Sequence, residues 1–289
     1  MMQTISTHDT NGAVIRAETA NYYGAVRRRV VVGGLHMSET VYGCDTRIPS
    51  HQHECPSLFM PLGGTFVEGC TGAVRSYVPG DVSYHPPYEA HWLDTHGGPA
   101  RGFAIELGAT WRETLGAETF GAYAPWDGVP RDLSLARVSW VVSRLYAELC
   151  AHDSARTLAI ETLSVELATQ LADTVVRPDP RTPAWVARVR DALHSTGRET
   201  PSLAELATIA GVTPVAVIKG FRRRTGRTPG TYLRDLRLAN ARRALADRER
   251  PLSVVALDAG FYDQSHFSRA FRAAAGMSPL AYRRALQGH

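Results

Sequence analysis

Phe221-Arg222-Arg223-Arg224-Thr225-Gly226-Arg227-Thr228-Pro229-Gly230-Thr231-Tyr232 and Phe271-Arg272-Ala273-Ala274-Ala275-Gly276-Met277-Ser278-Pro279-Leu280-Ala281-Tyr282 are one motif written twice. Both read F-R-x-x-x-G-x-[S/T]-P-x-x-Y, and every member is displaced by 50 residues. An Ala-Gly pair precedes each copy, Ala210-Gly211 and Ala259-Gly260. A shared offset at six positions marks a duplicated supersecondary unit.

Each unit reads as helix, tight turn, helix. In the first, Ser202 and Glu205 are spaced as a capping box ahead of Leu203, Leu206 and Ala207. Gly211 can take the left-handed conformation that ends this helix. Thr213 then caps a second helix that starts at Pro214, where a missing N–H costs nothing. Val217 and Phe221, four apart, share its buried face, leaving Val215, Ile218, Lys219 and Arg222 outside. In the second unit Ser253 is expected to cap a short helix over Val254 to Ala259. Asp263 caps the next helix, which buries Phe267 and Phe271 and presents Gln264, Ser265, Ser268, Arg269 and Arg272. Thr228 and Pro229 start a longer joining helix that runs to about Ala246, roughly 27 Å at 1.5 Å per residue. That length can hold two recognition helices near the ~34 Å repeat of successive major grooves.

These tandem units, the joining helix and the run Gly260-Phe261-Tyr262-Asp263-Gln264-Ser265-His266-Phe267-Ser268-Arg269-Ala270-Phe271 resemble the DNA-binding domain of the AraC/XylS transcriptional regulators. The resemblance spans about Pro183 to Leu286. It implies a double-stranded DNA operator and, by analogy, RNA polymerase as partners. It places Val215, Ile218 and Lys219 in one major groove and Gln264, Ser265, Ser268 and Arg269 in the next, with Arg222 and Arg272 on the same DNA-binding faces. Arg222, Arg223, Arg224, Arg227, Arg242 and Arg243 are expected to meet phosphate or solvent rather than bases.

The charge is divided along the chain. Residues 181–289 hold 19 Lys/Arg against 8 Asp/Glu, and residues 1–180 hold 13 against 20, giving +11 and −7 within a total of +4. The basic end suits a phosphate backbone and the acidic end does not. Four cysteines without a C-x-x-C pair point to reduced thiols in the cytoplasm. No apolar run approaches the ~18 residues of a membrane helix.

Between Tyr22 and Leu107, short apolar runs alternate with Gly and Pro, the texture of a β sandwich or barrel. Gly63-Gly64 and Gly97-Gly98 read as turns. His51-Gln52-His53 and Pro86-Pro87-Tyr88-Glu89-Ala90-His91 resemble the cupin-like jelly roll that precedes the DNA-binding domain in many AraC-type regulators. In metal-binding cupins such an H-x-H, a following Glu and a later His hold one ion. His51 and His53 leave one strand face, and His91 can add a third imidazole. Here the usual Glu position falls near Ser57 or Leu58, Glu54 points to the opposite face, and the usual Gly is Tyr88. The alternative is that these imidazoles line or cap the lumen through hydrogen bonds. On that reading there is no metal cofactor, and His51, His53, Tyr84, His85 and His91 line a pocket for a small-molecule effector.

From Asp132 the texture turns helical. Leu133, Val138, Val141, Val142, Leu145 and Leu149 form one amphipathic pattern, and Ile160, Leu163, Leu167, Leu171 and Val175 another. By resemblance these helices dimerise the family; by periodicity alone they equally well cover their own barrel. Arg177-Pro178-Asp179-Pro180-Arg181-Thr182-Pro183 is a Pro-rich connector between semi-independent domains. The expected fold is α+β and multidomain. A cupin-like sensing domain spans 1–131, a helical dimerisation and linker segment 132–180, and an all-α double helix-turn-helix domain 181–289. The expected function is a ligand-responsive transcription activator acting as a homodimer. The rival class, a cupin-type metal-dependent enzyme fused to a DNA-binding domain, lacks its carboxylate and any other catalytic motif. A purely architectural DNA-binding protein leaves the jelly roll without a role.

Overall fold

The computed structural model describes residues 15–17, 23–70, 73–116, 119, 129, 132–133, 137–174, 183–197 and 199–287. Eight strands make one sheet: β1 (Ile15–Ala17), β2 (Ala25–Val32), β3 (Leu35–Tyr42), β4 (Arg47–His53), β5 (Ser57–Cys70), β6 (Ala73–Tyr77), β7 (Ser83–His85) and β8 (His91–Leu107). β8 is the spine. It pairs antiparallel with β5 from Ser57↔Glu106 to Cys70↔His91. Its other edge takes β4 near His91 and β3 near Leu107. The sheet therefore curls, with one face turned to a lumen and the other to the helices.

Gly63-Gly64 and Gly97-Gly98, expected to be turns, lie inside β5 and β8. They are bulges: the β5–β8 register shifts on both sides of Gly63, and Gly64 and Gly98 take φ of 79° and 113°. The extra residues reverse the alternation of each strand. Before the bulge in β5, Leu58, Met60 and Leu62 face the helices while Ser57 and Phe59 face the lumen; beyond it Phe66 faces the lumen. In β8, His91 and Leu93 face inward, and after Gly98 so do Ala104 and Glu106.

The helices begin with α1 (Ala109–Trp111), which runs into a π turn, followed by α2 (Val138–Cys150) and α3 (Arg156–Thr174). Leu133, expected in the first amphipathic helix, instead lies extended, donating its N–H to Val82 O at 2.8 Å, next to the Asp132–Ser83 bridge. This pairing to the sheet outcompetes helix propagation, so α2 starts five residues later. Val175 and the connector 177–182 lie outside the described residues, as do Arg131 at the first expected domain boundary and both residues of the second, 180/181. The apolar faces of α2 and α3 pack into the chain's own core.

The C-terminal helices are α4 (Ala184–His194), α5 (Leu203–Ala210), α6 (Pro214–Thr225), α7 (Pro229–Ala244), α8 (Leu252–Asp258), α9 (Gln264–Ala275) and α10 (Pro279–Gln287). The capping box of α5 forms: Glu205 N donates to Ser202 Oγ at 3.2 Å and Ser202 N to Glu205 Oε2 at 2.7 Å. Thr213, Thr228 and Asp263 cap α6, α7 and α9 through their side chains. Ser253 does not cap α8, which starts two residues earlier than expected, behind Pro251, whose ring presets the backbone there. α7 ends at Ala244, so its 16 residues give about 24 Å.

Two apolar clusters divide these helices. Val189, Leu206, Val217, Phe221, Leu233 and Leu236 form the core of the first unit alone. The second unit shares its core with the sheet and α2: Phe271 meets Trp140 edge-on at 5.2 Å, and Phe267, Tyr282 and Leu286 belong to the same cluster. α7 enters the first cluster through Leu233 and Leu236 and the second through Leu238 and Ala241. Polar contacts reinforce the shared side. Arg243 Nε pairs with Asp81 Oδ1 at 2.5 Å, and Arg101 bridges Glu39 and the Leu286 carbonyl.

Candidate nucleic-acid interface and lumen

The recognition faces follow from what the clusters bury. In α6, Val217 and Phe221 are fully buried, and Val215, Ile218, Lys219 and Arg222 are exposed one turn around. In α9, Phe267 and Phe271 are buried, Gln264, Ser265, Arg269 and Arg272 are exposed, and Ser268 is half-buried. Both faces turn away from their cores, and neither is covered by the sheet domain.

The flanking arginines divide differently from the expectation. Arg222 and Arg223 are exposed. Arg227 instead pairs with Asp235 at 2.7 Å, and Arg243 with Asp81. Arg242 is wholly buried, its guanidinium 4.8 Å from the Trp140 ring centre and donating to Ser139 Oγ. Burial lowers its pKa from the ordinary arginine value. It fastens the two parts of the chain and cannot reach phosphate.

The lumen brings together His51 and His53 from β4, His85 from β7 and His91 from β8. The His51 and His91 ring centres are 4.3 Å apart, and His85 stacks on His91 at 4.3 Å with 13° between planes. Tyr84, expected beside them, is absent from the lumen. β7 alternation sends it to the opposite face, fully buried in the helix-side core. Tyr88, standing where the family pattern has Gly, adopts the left-handed φ of 62° that Gly would supply. Its N–H holds the turn to His53 O at 2.7 Å.

Backbone carbonyls fix two tautomers. His51 Nδ1–H donates to Pro49 O at 2.9 Å, and His91 Nδ1–H to Glu89 O at 3.1 Å, leaving each Nε2 with a lone pair. Burial first, then the neighbouring imidazoles, lowers the His53 pKa to about 3 and holds His91 still lower. His51 is lowered too, again chiefly by burial. His51, His53 and His91 are therefore neutral at physiological pH, the form in which imidazole binds metal.

The carboxylate is where the structure departs most from sequence. Ser57 occupies the usual Glu position, but two other acids reach the imidazoles. Glu106 Oε1 lies 3.7 Å from His53 Nδ1, and Glu68 Oε1 lies 2.5 Å from His85 Nε2. Two triads have ligand atoms within 4.8 Å of one another: His51, His53 and His91; and Glu68, His85 and His91. The donor set therefore fits a divalent transition-metal ion. Glu68 and Glu106 were hidden in the sequence because each lies beyond a bulge that reverses strand alternation.

Residues 206–285 match the family model described as a helix-turn-helix domain. Over 94 residues the chain is 37% identical to the HTH-type transcriptional regulator YobQ of Bacillus subtilis (strain 168), covering 32% of this chain and 39% of that one. It is 28% identical over 156 residues to an AraC-like transcription regulator of Streptomyces antibioticus, covering 51% and 52%. It is 29% identical over 153 residues to the HTH-type transcriptional activator RhaR of Klebsiella pneumoniae, covering 52% and 54%. The chain spans between about two fifths and about half of these relatives' length. Paired recognition helices on one connecting helix define a duplex-binding module. Through that module the chain is similar to AraC-like transcription regulators, with a curled antiparallel sheet ahead of it.

Proposed function

We propose that this protein is a sequence-specific, ligand-responsive transcription regulator and not an enzyme. The observation that carries the reading is the pair of exposed faces on α6 and α9, each backed by a buried Phe and joined by α7. The partner is an operator duplex read in two successive major grooves. The α6 face offers apolar contacts to thymine methyls and one long donor, Lys219. The α9 face offers Arg269 for guanine and Gln264 for adenine, so its half-site is the more sharply specified. RhaR's designation as an activator supports activation, which implies contact with RNA polymerase. A homodimer would use the outer side of α3, where Leu158 and Val165 stand 68% and 52% exposed, because the inner side is spent on the core. Among the described residues no single helix is long and apolar enough to cross a membrane.

The test is a binding selection from random duplexes with wild type, Arg269→Ala and Lys219→Ala. Arg269→Ala should lose preference at one base position in the α9 half-site. Base preferences unaltered by Arg269→Ala but erased by Lys219→Ala would reverse the assignment, and no selection at all by wild type would remove the function.

A further inference from the structure

The lumen measures about 50 Å³. That leaves room for an ion with a few waters. His85 and His91, which line it, are 6% and 4% exposed, and Glu68 beside His85 is 3% exposed. Glu68 Oε1 and His85 Nε2 approach to 2.5 Å yet are not aligned as a hydrogen bond, and both atoms are buried without a hydrogen-bond partner. His91 Nε2 is directed into the same space because Nδ1 is committed to Glu89 O. A carbonyl-anchored imidazole of this kind is how proteins orient a metal ligand.

We propose that Glu68, His85 and His91 hold one divalent transition-metal ion, of the zinc, cobalt, nickel or iron(II) kind. Two imidazoles and a carboxylate are the donors such ions accept. The choice between the two triads turns on charge. His51, His53 and His91 are three neutral rings, whereas a buried dication needs an anion, which Glu68 supplies. His91 has one lone pair, so it serves one triad at a time. Ligands at about 2.1 Å in a tetrahedron lie about 3.4 Å apart, so binding parts Glu68 from His85 by roughly 1 Å and draws His91 in. His53 is left to Glu106 at the mouth. As the signal for a regulator, the ion rests on the function proposed above; as a bound ion it does not.

The full chain, stripped with chelator and dialysed, is titrated with Co²⁺ and followed by its visible ligand-field absorption. Zn²⁺ stoichiometry is measured by equilibrium dialysis. One ion per chain is expected. Glu68→Gln should weaken binding by about tenfold or more, while His53→Ala leaves it within about threefold. If Glu68→Gln does not fold, as judged by circular dichroism, His85→Gln replaces it with the same expected loss. The proposal is overturned if wild type retains no ion. It is equally overturned if His53→Ala abolishes binding that Glu68→Gln preserves, which would place the ion on the His51, His53 and His91 rings. Duplex selection on the same preparation separates the two ideas. Selected DNA without metal removes only the ion, and metal without selected DNA removes only the regulator.

Discussion

Phe221→Ala and Phe271→Ala delete the same side chain from the same place in the repeated motif, but they should loosen different parts of the chain. Both rings are 0% exposed, so each truncation costs about 3–5 kcal/mol. At about 1.4 kcal/mol per tenfold, that raises the opening constant of the affected unit roughly 100-fold to several thousand-fold. Phe221 packs within the cluster of α4 to α7, which includes nothing from the sheet or α2. Phe271 packs on Trp140 of α2 at 5.2 Å and on Tyr282 at 5.4 Å, inside the cluster that reaches the sheet. Hydrogen exchange read by peptide mass spectrometry resolves the two cases. In Phe221→Ala, exchange should accelerate across 203–225 and leave 138–150 protected. In Phe271→Ala, segments 138–150 and 252–287 should accelerate together. Acceleration of 138–150 by Phe221→Ala, or its full protection in Phe271→Ala, would refute the division of the core.

Arg269→Ala should cost about 1–3 kcal/mol of specific binding, measured by fluorescence anisotropy on the selected duplex, whereas Arg223→Ala should weaken all sequences alike. Gly80 has φ of 91°, and a Cβ there would lie 3.1 Å from Arg242 Cγ and 3.4 Å from Tyr282 Oη. Gly80→Ala should therefore cost about 1–3 kcal/mol in chemical denaturation, and an unchanged midpoint would show that the turn relaxes freely. Leu158→Glu with Val165→Glu should shift a dimer to monomer in analytical ultracentrifugation while circular dichroism shows the helical fold retained. Unaltered sedimentation of a dimer would exclude the outer side of α3 as the contact.

The helix-turn-helix units were legible because their signals are local. A cap, a Gly in the left-handed region and a four-residue apolar spacing each act within one or two turns, as at Thr213, Gly211 and Val217–Phe221. The histidine lumen was half legible. His51, His53 and His91 were set by short motifs, whereas Glu68 and Glu106 required knowing that Gly63-Gly64 and Gly97-Gly98 are bulges within strands. Tyr84 was misplaced for the simpler reason that neighbouring residues on a strand face opposite ways. The partner of an apolar face was not legible at all. Phe271 reads as buried from its spacing, but nothing in a single helix says that Trp140 is what covers it.

The shared core explains how the two copies of the motif have drifted apart. Where α6 carries Arg223, Arg224 and Thr225, α9 carries Ala273, Ala274 and Ala275. Ala275 is fully buried and Ala274 packs on the common cluster. The closing glycines tell the same story: Gly226 faces open space, while a Cβ on Gly276 would lie 3.2 Å from Arg144 Nε of α2. The second copy is therefore under selection from a surface outside itself, and the first is not. Transplanting α6 into the place of α9 would set Arg224 against the common cluster, whereas the reverse transplant would shed charge and the Thr225 hydrogen bonds of its own turn without touching the sheet domain. The duplicated units are interchangeable in one direction only, and chain shuffling among relatives should leave the second copy tied to its own sheet domain while the first exchanges freely.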